Sequence, residues 1–202
     1  MNKILIIVGS FRKDSYNHQL GDVIKKYLEK DCEVLFLDYQ DLKFFNQDEE
    51  FISTTAIDRI RKEVAESDGL WFITPEYNGS YPAIIKNLID WLSRPIVLNQ
   101  YENGTAIMDK RVTYSSVAGK SKGMGVRDKL HELLMFVGAD ILNAPSVGIA
   151  LTREDFANSI LNISENDKAL ISKQAEAFIT FIKKNQMINL ILFVYFLFYY
   201  FG

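Results

Sequence analysis

Residues 69–82 read Gly-Leu-Trp-Phe-Ile-Thr-Pro-Glu-Tyr-Asn-Gly-Ser-Tyr-Pro, an apolar run that passes directly into a polar, turn-rich segment. The apolar part, residues 69–74, is typical of a strand covered on both faces, because such a strand needs no polar side. Pro82 stands where the first turn of a helix tolerates proline, and apolar residues at helical spacing follow it. The stretch therefore predicts a strand, a loop and a helix in succession.

The same succession recurs along the chain. Strands are predicted at residues 3–8, 33–38, 69–74 and 111–116, with a fifth strand region at 140–142 and 147–149. Helices are predicted over about residues 17–29, 56–66, 83–93, 126–137 and 165–183. Strands that alternate with helices favour a parallel sheet with helices on both faces.

Polar loops follow the first and third predicted strands. The first loop (residues 9–17) reads Gly-Ser-Phe-Arg-Lys-Asp-Ser-Tyr-Asn, and the second loop comprises residues 75–82. In a doubly wound sheet of order 2-1-3-4-5, strands one and three flank the point where the winding reverses, and ligands bind at their carboxyl ends. We therefore expect a small-molecule site between the first and second loops.

The first loop carries the groups that a phosphate monoester requires. It joins a strand to a helix, so free backbone N–H groups and the positive end of the helix dipole converge there. Ser10 and Ser15 add hydroxyl donors, and Arg12 adds a guanidinium suited to phosphate oxygens. The loop matches neither the triphosphate-binding nor the dinucleotide-binding glycine pattern. A simple helix cap by Ser15 or Asn17 is the alternative interpretation.

The second loop offers an aromatic face, amide groups and backbone donors, which a flat heteroaromatic ring requires. Its alternative interpretation is a plain connection with Asn78-Gly79 as the turn. The third loop (residues 115–123) follows the fourth strand at the same edge of the sheet. Its serine and glycine backbone groups could meet the pyrimidine end of such a ring, or it could be a mobile surface loop.

The motif Gly-Ser-x-Arg-x-x-Ser-x-Asn in the first loop resembles the phosphate loop of the NADPH-dependent FMN reductase family, which includes quinone, azo-dye and chromate reductases. Residues 75–95 read Pro-Glu-Tyr-Asn-Gly-Ser-Tyr-Pro-Ala-x-x-Lys-Asn-x-Ile-Asp-Trp-Leu-Ser-Arg-Pro, which is similar to the flavin-ring loop and following helix of that family. The resemblance implies a flavodoxin-like three-layer α/β/α fold with a five-stranded parallel sheet of order 2-1-3-4-5. It implies one FMN-binding reductase domain over residues 1–184.

The resemblance also implies roles for individual residues. Those implied to bind the FMN phosphate are Ser10, Arg12, Ser15 and Asn17. Those implied to wrap the isoalloxazine ring, chiefly through backbone groups, are Pro75, Glu76, Tyr77 and Asn78, with Gly79 letting the substrate approach. Ser115 and Gly119 are implied to contact the ring from the third loop.

The activity implied by the resemblance is that of an NAD(P)H-dependent oxidoreductase with FMN as cofactor and NADPH or NADH as electron donor. The implied electron acceptors are quinones, flavins, azo compounds and metal oxyanions. The flavin carries the chemistry, so no catalytic side chain is assigned. The alternative is a flavodoxin-type electron carrier without its own NAD(P)H oxidation. The family also implies a homodimer or homotetramer in which a neighbouring subunit completes the flavin edge.

Charge and cysteine content narrow the remaining classes of function. The formal net charge of −3 and the lack of a Lys/Arg cluster argue against a nucleic-acid partner. Cys32 is the only cysteine, and the N-terminus lacks a signal-peptide pattern, so a cytoplasmic protein is favoured. One cysteine and two separated histidines offer no metal-ligand spacing.

Residues 185–202 form an atypical hydrophobic tail that departs from the family. From Met187 the chain is almost wholly apolar and aromatic, yet these 16 residues fall short of the roughly 20 that span a bilayer. Three interpretations stay open: a membrane-associating tail, a helix at an oligomer interface, or an aberrant end from a shifted or extended reading frame. The abrupt change in composition favours the third, so membrane contact is not the favoured expectation.

Overall fold

A parallel sheet forms the centre of the protein in a computed structural model that describes residues 1–52, 54–95, 97, 100–144 and 146–201. Within these residues the strands are β1 (Asn2–Val8), β2 (Cys32–Phe36), β3 (Gly69–Ile73), β4 (Arg111–Ala118), β5 (Asp140–Ile141) and β6 (Gly148–Ala150). Their order is β2-β1-β3-β4-β5, and β6 also pairs with β4. The predicted strand order is confirmed.

The fifth position of the sheet is divided between two short strands. β5 pairs with the beginning of β4, where Val112 stands opposite Ile141, and β6 pairs with its end, where Val117 stands opposite Ile149. The two segments predicted as one fifth strand region therefore both lie beside β4. The chain leaves the sheet between them.

Helices cover both faces of the sheet. In the described part of the chain they are α1 (Tyr16–Leu28), α2 (Thr55–Ala65), α3 (Ala83–Leu92), α4 (Met124–Phe136), α5 (Arg153–Asn158) and α6 (Glu165–Phe201), with short 3-10 helices at Gln47–Glu49 and Tyr101–Asn103. α5 was not predicted. α6 runs past its predicted end at Lys183, and the sequence holds no glycine or proline between that residue and Gly202.

The two sides of the sheet pack against different helices. Side chains alternate along a strand, so Ile4 and Ile6 of β1 pack on the side covered by α1 and α6, whereas Leu5 and Ile7 pack on the side covered by α2, α3 and α4. All four are fully buried. Because helices cover both sides of the sheet, its central strands can be apolar throughout. The three loops project from the carboxyl edge of this buried sheet.

In the part of the chain that the structure describes, we find no helix with the length and apolarity needed to cross a membrane. The predicted tail, residues 185–202, is helical within α6 as far as Phe201, but its side chains and Gly202 lie outside the described residues. Its three interpretations, and the domain boundary at residue 184, therefore stay predictions.

Candidate functional site

A cavity of about 410 Å³ opens at the carboxyl ends of β1, β3 and β4. This volume lies within the range of roughly 300–1,000 Å³ that small-molecule sites occupy. The structure brings together at this cavity most of the residues singled out from the sequence: Ser10, Arg12, Ser15, Asn17, Pro75, Glu76, Tyr77 and Gly119. Asn78, Gly79 and Ser115 do not line it.

The first loop presents free backbone donors to this cavity. It enters α1 at Ser15, whose buried hydroxyl accepts a hydrogen bond from the N–H of His18 at 3.4 Å and so caps the helix. Among the described residues, several N–H groups here donate to no protein acceptor: those of Ser10, Phe11, Tyr16 and Asn17. An anion at this helix terminus would satisfy them.

Arg12 lies at the exposed rim of the cavity. Its guanidinium stands 4.7 Å from the centre of the Tyr16 ring and donates to the backbone carbonyl of Asp14. No carboxylate pairs with it among the described residues, so its positive charge is available to a phosphate at the helix terminus.

Asn17 is buried and connects the first loop to β4. Its Oδ1 accepts from the N–H of Val117 at 2.9 Å, and its Nδ2 donates to the carbonyl of Val117 at 3.3 Å. β3 ends opposite Ser115, so the Asn17 amide takes the place of a strand beside Val117. The side chain implied to be a phosphate ligand is thus engaged in bracing two walls of the cavity.

The second loop is a tight hairpin turn. Tyr77 and Ser80 exchange backbone hydrogen bonds of 2.9 and 3.0 Å, and Asn78 and Gly79 have φ of +52° and +68°. Two successive positive φ values are the signature of a type I′ turn, which favours Asn-Gly. Asn78 and Gly79 form the apex, and a Cβ on Gly79 would meet no atom within 4 Å. Space therefore stays open beside the half-exposed ring of Tyr77.

Glu76 ties the second loop to α4. Its Oε2 accepts from the N–H of Val126 at 3.1 Å, at the positive end of that helix. The Glu76 side chain is committed to this cap. Its own backbone N–H donates to no acceptor among the described residues and is left for a ligand.

Ser115 is drawn into the core instead of lining the cavity. Its hydroxyl accepts from Trp71 Nε1 at 3.1 Å and donates to Gln174 Oε1 at 3.2 Å, and the residue is fully buried. The hydroxyl proton of Ser115 is therefore used inside the core, and the implied ring contact from the third loop stays a prediction. Gly119, one residue beyond β4, does line the cavity.

Gln174 of α6 is a structural support of β4 that sequence reasoning missed. Besides Ser115, its amide oxygen accepts from the N–H of Val147 at 2.9 Å, and its nitrogen donates to Thr113 Oγ1 at 2.8 Å and to the carbonyl of Tyr114 at 3.0 Å. One buried amide thereby fixes the middle of β4 against α6 and the segment before β6. A single glutamine within a helix carries no local signal of this role.

Arg127 anchors the third loop from α4. Its Nη1 donates to Ser116 Oγ at 2.6 Å and to the carbonyl of Lys122 at 2.5 Å. Burial lowers the pKa of Arg127, and the nearby charge of Asp128 partly offsets that effect. A Cβ at Gly148 would overlap the guanidinium, so the glycine provides the space for this anchor.

A fourth wall of the cavity, absent from the sequence-based prediction, is formed by Leu151, Phe156 and Ser159. The hydroxyl of Tyr16 donates to the carbonyl of Asp155 at 2.8 Å, and Gln19 Nε2 donates to the carbonyl of Ser159 at 3.0 Å. The wall is therefore fastened to α1.

The carboxylate of Asp155 organises this wall. It accepts from the N–H and hydroxyl of Thr152 at 2.6 and 2.7 Å, and from the N–H and Nδ2 of Asn162 at 2.8 and 2.9 Å. Burial alone raises the pKa of Asp155, but the hydrogen bonds from Asn162 and Thr152 outweigh burial and hold the pKa below its usual value of 3.8. The Thr152–Asp155 capping box was a signal in the sequence for α5.

The donor set of the cavity suits a phosphorylated, flat, polar ring system. One end has unpaired N–H groups and Arg12, and the other has Tyr77, the backbone of Glu76 and the small Gly119. Among the described residues, no group of three or more His, Cys, Asp or Glu side chains could hold a metal ion. These features fit FMN.

The model of the NADPH-dependent FMN reductase family matches residues 2–153 of this chain. The chain belongs to that family. It is therefore an oxidoreductase with FMN as its cofactor and NAD(P)H as its electron source.

Individual relatives agree with this membership. A quinone reductase of Pseudomonas putida is 26% identical over 187 residues, which cover 92% of this chain and 97% of that protein. A 2-hydroxy-1,4-benzoquinone reductase of a Burkholderia species is 38% identical over 93 residues, 46% of this chain and 51% of that protein.

Solved structures agree as well. The NAD(P)H:(acceptor) oxidoreductase FerB of Paracoccus denitrificans superposes with a TM-score of 0.79 and 29% identity, over 91% of this chain and 98% of that one. An archaeal flavodoxin superposes with a TM-score of 0.57 and 11% identity, over 90% of this chain and 99% of that one. The second likeness concerns the fold alone, and the predicted flavodoxin-like fold is confirmed.

Proposed function

We propose that this protein transfers electrons from NAD(P)H to quinones through FMN bound in the 410 Å³ cavity. The observation that carries the proposal is the convergence of free N–H groups and Arg12 at one end of that cavity with Tyr77 and Gly119 at the other. The quinone reductases of Pseudomonas putida and of the Burkholderia species support quinones as the acceptor class.

The phosphate would bind at the N-terminus of α1. There the N–H groups of the first loop, the hydroxyl of Ser10 and the guanidinium of Arg12 supply donors and positive charge. Ser15 keeps its place as the helix cap, and we propose that Asn17 acts by holding the first loop against Val117. In this arrangement the phosphate oxygens would accept hydrogen bonds from the N–H groups of the first loop that donate to no protein acceptor among the described residues.

The ring system would lie between the second and third loops. Pro75, Glu76 and Tyr77 form one wall, where backbone groups of the turn can bond the ring while Glu76 fixes the turn to α4. Gly119 leaves room on the opposite side, and the apex at Asn78 and Gly79 leaves an entrance for substrates. When bound, FMN supplies the hydride acceptor and electron relay that no side chain can provide.

The ring of Tyr77 is half-exposed and a Cβ on Gly79 would meet no atom within 4 Å, so we extend the proposal to free flavins, azo compounds and metal oxyanions as further acceptors. A cytoplasmic location also belongs to the proposal, because the only cysteine, Cys32, is a buried free thiol, as expected in a reducing compartment.

We further propose a homodimer or homotetramer. Phe136 and Met135, at the end of α4, are 89% and 60% exposed, and adjacent exposed apolar side chains of this kind favour association. Sedimentation at several protein concentrations would test this, and a monomer at all of them would refute it.

The deciding experiment is the absorbance spectrum of the purified protein after FMN addition, followed by anaerobic titration with NADH and NADPH. We expect a yellow protein that is bleached by the reduced nucleotide and recovers its colour when a benzoquinone is added. A protein that takes up no FMN would refute the cofactor site. A yellow protein that neither nucleotide bleaches would instead be an electron carrier.

A further inference from the structure

A second cavity, of about 310 Å³, lies between α6, the third loop and the segment before β6. Its volume falls within the range that small-molecule sites occupy, and no described residue lines both this cavity and the 410 Å³ cavity. The function proposed above assigns no ligand to it. This α6 cavity is lined chiefly by Lys122, Ser146, Val147, Leu170, Lys173 and Ala177.

Much of the lining of the α6 cavity is apolar. Leu170, Gln174 and Ala177 lie on one face of α6, at spacings of four and three residues. Gln174 offers no polar group to a ligand, because its amide oxygen already accepts two hydrogen bonds and its nitrogen donates two. Leu170 is 44% exposed, so an apolar ligand would remove part of its side chain from water. No aromatic side chain of the described residues lines the cavity, which favours an aliphatic ligand over a flat ring.

The α6 cavity also carries positive charge. Lys122 of the third loop and Lys173 of α6 are exposed, and neither has a carboxylate partner among the described residues. No aspartate or glutamate of the described chain lines the cavity. Ser146 adds a half-buried hydroxyl that donates to no described acceptor. The lining therefore attracts an anion and supplies a hydrogen-bond donor to it.

Arg127 lines the cavity as well, but it serves the third loop. Its Nη1 bonds to Ser116 and to the carbonyl of Lys122 hold that loop, and the nearby carboxylates of Asp128 and Glu76, which counter its charge, lie outside the lining. Lys122 has a φ of +55°, in the region that favours glycine, so a lysine at this position comes at a conformational cost. The two lysines are thus the cations left for a ligand, and Arg127 fixes the backbone of one of them.

We propose that the α6 cavity binds a small aliphatic monocarboxylate, of the class of medium-chain fatty acids. The carboxylate lies between Lys122 and Lys173 and accepts a hydrogen bond from Ser146, and the alkyl chain covers Leu170 and Val147. An inorganic anion would leave the apolar lining in contact with water, and an uncharged alkane would leave both lysines without a partner. The combination of charge and apolar surface therefore selects this class of ligand.

Calorimetry with octanoate and the FMN-free protein tests the inference without relying on the proposed function. The comparison compounds are 1-octanol, which has the same chain without the charge, and acetate, which has the charge without the chain. We expect octanoate to saturate a single site and to bind at least about tenfold more tightly than either compound, because each lacks one of the two kinds of contact. Octanoate should stay bound when FMN is added to saturation, since the two cavities share no lining residue among those described.

Two substitutions locate the site. Lys173→Ala should weaken octanoate binding about tenfold and leave the affinity for 1-octanol unchanged, because it removes one charged contact. Ala177→Leu fills part of the cavity and should weaken the binding of both compounds. Lys184→Ala is the matched control, because it removes an exposed lysine of α6 that lines neither cavity, and it should bind octanoate as the wild type does.

The inference is overturned if octanoate shows no saturable binding, or if it binds no more tightly than 1-octanol or acetate. Equal octanoate affinity in Lys173→Ala and Lys184→Ala would overturn it as well. Displacement of octanoate by FMN would place octanoate in the 410 Å³ cavity and refute the α6 site. A yellow protein that NAD(P)H bleaches, yet that binds no octanoate, refutes this site alone and leaves the proposed function intact.

Discussion

Replacing Asn17 by alanine separates the two roles open to this residue. In the structure its amide bonds both backbone groups of Val117, which is 1% exposed. If bracing is its role, Asn17→Ala destabilises the protein whether or not FMN is bound. If Asn17 is instead a phosphate ligand, as the family resemblance implies, the protein without FMN keeps its stability and only FMN affinity falls.

The magnitude follows from the two groups left behind. The substitution leaves a buried N–H and a buried C=O of Val117 without partners, and each such group costs about 1–3 kcal/mol. Partial access of water to the cavity edge lowers this cost, so we expect a loss of about 2–4 kcal/mol in the free energy of unfolding. Domains of this kind are stable by about 5–15 kcal/mol, so the variant should still fold.

Urea unfolding of the FMN-free protein, followed by circular dichroism, measures this loss, and fluorescence titration measures FMN affinity. Asn166→Ala is the matched control, because Asn166 is an exposed asparagine in α6 whose side chain makes no hydrogen bond among the described residues. It should change the free energy of unfolding by less than about 0.5 kcal/mol. An Asn17→Ala protein as stable as this control would refute the bracing role.

Three further outcomes are expected. Gly119→Val should leave the stability of the FMN-free protein unchanged, because a Cβ there meets no atom within 4 Å, but should weaken FMN binding at least about tenfold in a titration by filling the cavity. Arg12→Ala should raise the Kd for FMN roughly tenfold, since loss of one exposed, charge-assisted contact costs about 1.5 kcal/mol, and an unchanged Kd would remove Arg12 from the phosphate site. The depressed pKa of Asp155 means that its carboxylate stabilises the protein fully above pH 3.8 and that this contribution is lost as the pH falls through the folded-state pKa. The difference in urea midpoint between wild type and Asp155→Asn should therefore be largest near neutral pH and shrink in acid, and a difference independent of pH would contradict this reasoning.

The strand order was implied by the family resemblance, whereas the positions of the central strands could be predicted from the residues because these strands are apolar at almost every position and polar segments follow them. β1 and β3 illustrate this, since both faces of each are covered and neither needs a polar residue. A small-molecule site between the first and second loops could also be predicted, because the carboxyl ends of β1 and β3 flank the point where the winding of the sheet reverses.

The fate of individual side chains could not be predicted. Ser115 and Gly119 are both implied to contact the ring, but Ser115 lies within β4 at a fully buried position, whereas Gly119 follows the strand and lines the cavity. Its partner Gln174 lies 59 residues further along the chain. A contact between such distant residues depends on how helix and sheet pack, and neither residue carries a local pattern that reveals it.

The fourth wall was missed for a different reason. α5 has six residues, too few to show a helical period, and its capping box ends in Asp155 where the usual pattern has glutamate or glutamine. The wall could have been predicted only from the cap itself.

The four walls of the cavity also have a consequence for biosynthesis. They come from residues 10–17, 75–77, 117–119 and 151–159, so the residues that line the cavity are far apart in the sequence. A ribosome makes the first loop early, but the wall around Phe156 emerges only after three quarters of the chain has been translated. With FMN bound in this cavity, as we propose, the complete cofactor site forms only after the segment around Phe156 has joined the sheet.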